Sequence, residues 1–208
     1  MAMNNKMRTQ RGNSYGGMIT REQFLFHEMR TTAGLYCRGL SHEEIIQIIT
    51  DENLFQYPSE KTIKNIAGVC LKRLDTLEDE GLIEAIATES ASVAKQICLY
   101  AMIRQYPIVR DFMIHVIGEK YRTMNLTYSK ADLNMFFFRL QEQDDRVAAW
   151  SDATVQKIKQ VLHKLLVDVN YLETIRSTTL QPIWISSVLE TAIRAKGDTP
   201  ALAAFNCF

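Results

Sequence analysis

From Thr20 onward the apolar residues recur at intervals of three and four rather than two, the spacing that gives a helix one buried face. Phe24, Leu25, Met29, Thr32 and Leu35 mark a first helix, with Thr20 placed to cap it, Glu22 in its first turn and Gly39 beyond its end. Ser41-His42-Glu43-Glu44 is a capping box, serine at the cap and glutamate three residues on, opening a short helix with the stripe Ile45, Ile46, Ile48 and Ile49. A polar and aromatic connector, Asp51 to Pro58, leads to Ser59, which stands at the cap of a third helix. The inward positions of that helix are Ile63, Ile66, Ala67, Cys70, Leu74 and Leu77; its outward ones include Lys61, Lys64, Asn65, Lys72 and Arg73. After Asp79-Glu80-Gly81, the run Leu82 to Ile86 reads as a short strand, placed where a winged helix carries its first wing strand.

Two further helices, Glu89 to Gln105 and Pro107 to Tyr121, have broad apolar faces, and the second opens with proline at its first position, where the missing donor costs nothing. Ser129 opens a helix carrying Leu133, Phe136, Phe137 and Leu140, and Ser151 caps a long one through Val169. Ser59 to Ile66 aligns with Ser151 to Ile158 at serine, acid, threonine, β-branched residue and isoleucine, a weak internal repeat of two helix-turn-helix-like units. The last helix, Trp184 to Lys196, stops at Gly197 with Pro200 beyond, and the apolar end Leu202 to Phe208 is expected to dock on the body. The pattern thus predicts an all-α, compact multi-helix bundle with helix-turn-helix-like units and one short β wing. It divides into a flexible basic arm (1–19), an N-terminal helical subdomain (20–87), a central helical pair (88–127) and a C-terminal helical subdomain (128–208).

Charge and composition narrow the function. The 24 basic and 24 acidic residues cancel, so a nucleic-acid role must rest on local patches rather than on bulk attraction. Lys6, Arg8 and Arg11 give the polar N-terminus such a patch, of the kind that lies along phosphates or in a minor groove. The four cysteines fall singly, with no C-x-x-C pair, as suits reduced thiols in a cytoplasmic protein. No stretch approaches the roughly 18 to 20 apolar residues a membrane span requires.

The motifs of several enzyme classes are absent: there is no glycine-rich phosphate loop, no G-x-S-x-G elbow and no H-E-x-x-H. The four histidines are scattered, and the acidic pairs Asp144-Asp145 and Glu78-Asp79-Glu80 sit at helix ends as solvated turns, so neither cofactor nor metal is expected. The strongest constellation is the helix after Ser59. Ser59, Lys61, Thr62, Lys64 and Asn65 occupy its first two turns, and Lys72 and Arg73 lie two turns on, residue types that bond phosphates and base edges. Neutralisation of about four phosphates by Lys61, Lys64, Lys72 and Arg73 would give a slope of log affinity against log salt near −3.6. Lys157, Lys159 and Lys164 are weaker candidates on the second copy. Against this, the connector of about eight residues is longer than a tight helix-turn-helix turn. An adaptor that binds other proteins through Phe55, Tyr57 and Trp184 is the alternative, and RNA binding a third, without an aromatic run to support it.

The run Glu52 to Thr62 continuing to Arg73-Leu74, with Glu28-x-Arg30 upstream, Asp111-Phe112, Phe137-Phe138 and Trp150-Ser151-Asp152-Ala153-Thr154, resembles the BrxA family of the BREX bacteriophage-resistance systems. The resemblance spans about Tyr15 to Trp184. It implies a small, mainly helical, non-catalytic component that binds double-stranded DNA, is similar in fold to NusB-type antitermination proteins, and acts beside the other BREX proteins.

Overall fold

A computed structural model describes residues 15–208. Its helices are α1 (Phe26–Tyr36), α2 (His42–Asp51), α3 (Glu60–Leu77), α4 (Glu80–Thr88), α5 (Ala91–Gln105), α6 (Pro107–Phe112), α7 (Glu119–Arg122), α8 (Lys130–Gln143), α9 (Asp145–Ala148), α10 (Asp152–Asp168) and α11 (Ser187–Ala195). A π-helical stretch, Met113–Gly118, joins α6 to α7 without a break, and 3-10 turns lie at Gly17–Thr20 and Thr199–Phe205. Among the described residues there is no strand; one isolated antiparallel bridge pairs Thr127 with Thr179. No described helix is long and apolar enough to cross a membrane.

The caps follow the sequence signals at most helix starts. Ser41 and Glu44 close a reciprocal capping box, Ser129 and Asp132 make another, and Ser151 accepts from the Thr154 amide. Three starts differ from expectation. Helix α11 begins at Ser187, capped by Ser186, rather than at Trp184. Ser59 stands at the cap position of α3 without a side-chain bond to the helix. Thr20 turns its hydroxyl to the Gly17 carbonyl, and α1 begins only at Phe26, after Leu25 in a left-handed conformation (φ 55°).

The wing is also corrected. Leu82 to Ile86 lies within α4, whose start is capped by the Asp79 carboxylate accepting from the Leu82 amide at 3.1 Å. Leu82, Ile83, Ala85 and Ile86 are all buried, against α1 and α5. A five-residue segment with four apolar positions fits either period, and burial of those four between two helices decided for the helix, with Glu84 left exposed.

The centre of the bundle is α5, buried continuously from Ile97 to Ile103, as a helix apolar on all sides must be. The principal core around it draws residues from Ile19 to Phe205. Tyr15 donates to Asp111 and Ile19 is buried, so the segment before α1 packs on the body. A satellite core of Leu35, Ile45, Ile49, Phe55, Ile63, Ala67 and Leu71 seats α2 on α3. The apolar C-terminus docks as predicted: Ala201, Leu202, Ala204 and Phe205 are buried, and Asp198 accepts from Arg110 at 2.6 and 3.1 Å.

Candidate nucleic-acid interface

Helix α3 turns two faces inward, Ile63, Ala67 and Leu71 to the satellite core and Cys70, Leu74 and Leu77 to the principal one. What remains exposed is a ridge. Lys61, Asn65, Gly68 and Lys72 stand four, three and four residues apart, so they align along the helix. Lys61, Asn65 and Lys72 are exposed, and a Cβ placed on Gly68 would meet nothing within 4 Å. Ser59 and Thr62 are exposed at the start of the helix. Lys64 is exposed on the flank beside α2, where it pairs with Glu60 at 3.6 Å. No packing contact requires glycine at position 68. Gly68→Ala is therefore expected to raise stability by about 0.4–1 kcal/mol, read as an upward shift of the urea midpoint.

Arg73 is not part of this ridge. It is fully buried, its guanidinium donating to the Phe24 carbonyl at 3.1 Å, to the Glu22 carbonyl and to the Tyr106 hydroxyl at 3.2 Å, and lying 5.3 Å from the Tyr106 ring centroid. A group so enclosed reaches no phosphate. Burial pushes the Tyr106 hydroxyl above its ordinary range, so at neutral pH it remains a donor to the Glu22 carboxylate. Lys6, Arg8 and Arg11 lie outside the described residues. Because residues 1–14 hold these three cations and no acid, removing three from 24 leaves 21 basic against 24 acidic residues in the described body. Any attraction for a polyanion from that body is local.

Helix α10 faces α3 across a groove of about 680 Å³, lined by Thr62 and Ile66 of α3, Lys95 of α5, Lys164 of α10, and Arg21 and Gln23 of the entry segment. Lys164 donates to Gln23 at 3.2 Å and lies 3.6 Å from Asp168; Lys95 donates to Asn170 at 3.2 Å. Glu28, which also lines the groove, accepts from the Tyr57 hydroxyl at 2.8 Å. Of the residues nominated from sequence, the tertiary structure thus brings Thr62 and Lys164 together. Lys157 is exposed, seven residues before Lys164 and on the same helical face. Lys159 faces away, toward Asn134 at 2.9 Å. Arg21 and Lys95 carried no local sequence signal, since neither belongs to a cationic run.

The BrxA family model matches residues 13–197. The chain belongs to the BrxA family. It is 33% identical over 186 residues to the BREX protein BrxA of Bacillus cereus (strain H3081.97), covering 88% of this chain and 92% of that one. A second BREX protein BrxA, of Escherichia coli O9:H4 (strain HS), is 25% identical over 187 residues, covering 90% of this chain and 85% of that relative. Among solved structures, the crystal structure of an uncharacterized protein from Magnetospirillum magneticum superposes with a TM-score of 0.79 at 20% identity, covering 93% of this chain and 98% of that one. That likeness concerns the fold.

For this BrxA-family chain the adaptor surface expected from sequence also changes. Phe55 is 6% exposed, in the satellite core beside the partly buried Tyr57, so it offers no contact surface. Trp184 is 82% exposed. Its backbone is fixed on both sides by Gln96, which donates to the Trp184 carbonyl and accepts from the Ser186 amide, each at 2.9 Å.

Proposed function

We propose that the protein is a non-enzymatic, cytoplasmic, double-stranded DNA-binding component of a BREX phage-defence system, binding mainly through phosphates with low sequence specificity. The observation that carries this reading is the α3 ridge: a cationic and amide-bearing helix face left uncovered while the rest of the helix is committed to two cores. Membership of the BrxA family, whose relatives are named BREX proteins, supports the setting. Lys61, Lys64 and Lys72 neutralise backbone charge, Ser59, Thr62 and Asn65 set the fit, and Gly68 lets the duplex approach the helix backbone. Lys157 and Lys164 extend the contact across the groove, and Lys6, Arg8 and Arg11 add reach.

With Arg73 withdrawn from the set, three α3 lysines remain, and the slope of log affinity against log salt from this helix is about −2.7. Mobility-shift titrations of unrelated duplexes and a matched RNA at two salt concentrations measure it. The triple variant Lys61→Glu, Lys64→Glu, Lys72→Glu is expected to weaken duplex binding by about a hundredfold or more, from loss of three contacts and gain of three repulsions. Salt-independent binding, or none at micromolar protein, would refute the mechanism.

A second reading, that the protein is an adaptor for other BREX proteins, is favoured by the exposure of Trp184, because exposed aromatics of this kind anchor interfaces. Phage protection separates the two: the adaptor reading requires Trp184→Ala to abolish protection and the α3 triple variant to preserve it.

A further inference from the structure

A small cavity of about 300 Å³ lies between the first turns of α8 and the middle of α10, about a quarter-turn around α10 from the Lys164 groove. Its polar lining is Lys130, Asn134, Gln156, Lys159, Gln160 and His163, with Leu133 beneath, and it contains no carboxylate. In a body with more acidic than basic residues, a cluster of basic and amide side chains without a carboxylate is a local exception. The nearest acid on α8, Asp132, is turned to the other side of that helix. There it lines a different cavity, pairs with Lys120 at 2.8 Å and accepts from the Ser129 amide at 2.7 Å.

Two of the basic groups are already positioned. The Lys159 ammonium is held by the Asn134 side-chain oxygen at 2.9 Å and lies 5.3 Å from the Phe137 ring centroid. The His163 ring stacks on Tyr128, with centroids 5.8 Å apart and planes 12° apart, while its Nε2 lies 2.8 Å from the Ile175 carbonyl. A carbonyl can only accept, so Nε2 carries the proton and Nδ1 is left for a ligand. With this tautomer, Nδ1 is free to accept from a protonated ligand oxygen. Of the common anions, a phosphate monoester fits this lining best, because its three terminal oxygens can use two ammoniums and several side-chain amides at once.

We propose that this cavity is a phosphate-binding site, distinct from the α3 ridge, in which Lys130, Lys159 and His163 hold one phosphate group and Gln156 and Gln160 bond its remaining oxygens. At the start of α8 the Ala131 amide already donates to Ser129 Oγ, and the polar side chains of the lining supply the recognition. The group can come from a free phosphomonoester or from a nucleic acid, and the experiment separates these sources. The full chain is titrated with AMP in one arm and with a blunt duplex in the other, following the His163 ring resonances by NMR. The expected result is a saturable His163 shift in at least one arm, with affinity falling at least about tenfold in Lys130→Gln/Lys159→Met. Met retains an apolar stem over Phe137, and an unchanged thermal melt shows that the variant is folded. A shift with AMP assigns a free phosphomonoester; a shift with the duplex alone assigns a nucleic-acid phosphate. No saturable shift in either arm at millimolar AMP and micromolar duplex, or a shift unchanged in the double variant, would overturn the site. The α3 triple variant leaves this cavity intact, so its loss of duplex binding reports on the ridge and not on the phosphate site.

Discussion

Arg73→Met is expected to lower the free energy of unfolding by about 3–5 kcal/mol, seen as a fall in the urea midpoint at unchanged slope. The guanidinium is the shared donor for two backbone carbonyls, Glu22 and Phe24, and for the Tyr106 hydroxyl, which in turn donates to the Glu22 carboxylate. Methionine fills much of the volume but leaves those carbonyls inside the protein without partners, which costs more than the lost bonds themselves contribute. The damage should also be local. Residues 21–25 are held in the turn that places Leu25 ahead of α1, and their amides should exchange faster in the variant than those of α5. Arg73→Lys keeps the charge but loses the fork, and should fall between the two. A loss below about 1 kcal/mol in Arg73→Met would show that the buried guanidinium does not hold this segment in place.

Gly118→Val is expected to cost about 3 kcal/mol, the upper part of the range for overpacking. A Cβ at Gly118 would lie 2.9 Å from the Ala203 carbonyl oxygen and 3.0 Å from both its carbonyl carbon and its Cβ. Those are largely backbone atoms of the C-terminal 3-10 turn, so no side-chain rotation relieves the clash. The turn must lift. Tyr171, whose hydroxyl donates to the Ala204 carbonyl at 2.8 Å, would then lose its partner inside the core. Limited proteolysis near Thr199–Phe205 should become faster in the variant; an unchanged rate and an unchanged melt would mean that the π-helical stretch absorbs the added volume.

Much of the fold was legible because helix signals are local. The capping box at Ser41, the helix start at Ser129, the cap at Ser151, the proline that opens α6 and the glycine after α11 each act on backbone groups within four residues in sequence, and each held. The failures came where a distant residue decided a local conformation. Leu82 to Ile86 became helix because α1 and α5 cover it, and residues 21–25 stayed out of α1 because Arg73, some fifty positions away, binds their carbonyls.

The candidate site divides in the same way. The sequence by itself determined that α3 carries Lys61, Asn65 and Lys72 on one face, since helical period fixes which residues align. It also determined family membership and the all-α class. The burial of Arg73 and Phe55, the meeting of Thr62 with Lys164, and the carboxylate-free cavity around Lys159 and His163 were decided only by the tertiary structure. The physical reason is that a cation's role depends on what surrounds it: the arginine one residue after Lys72 is turned by about 100° into the core, where carbonyls replace water as its partners.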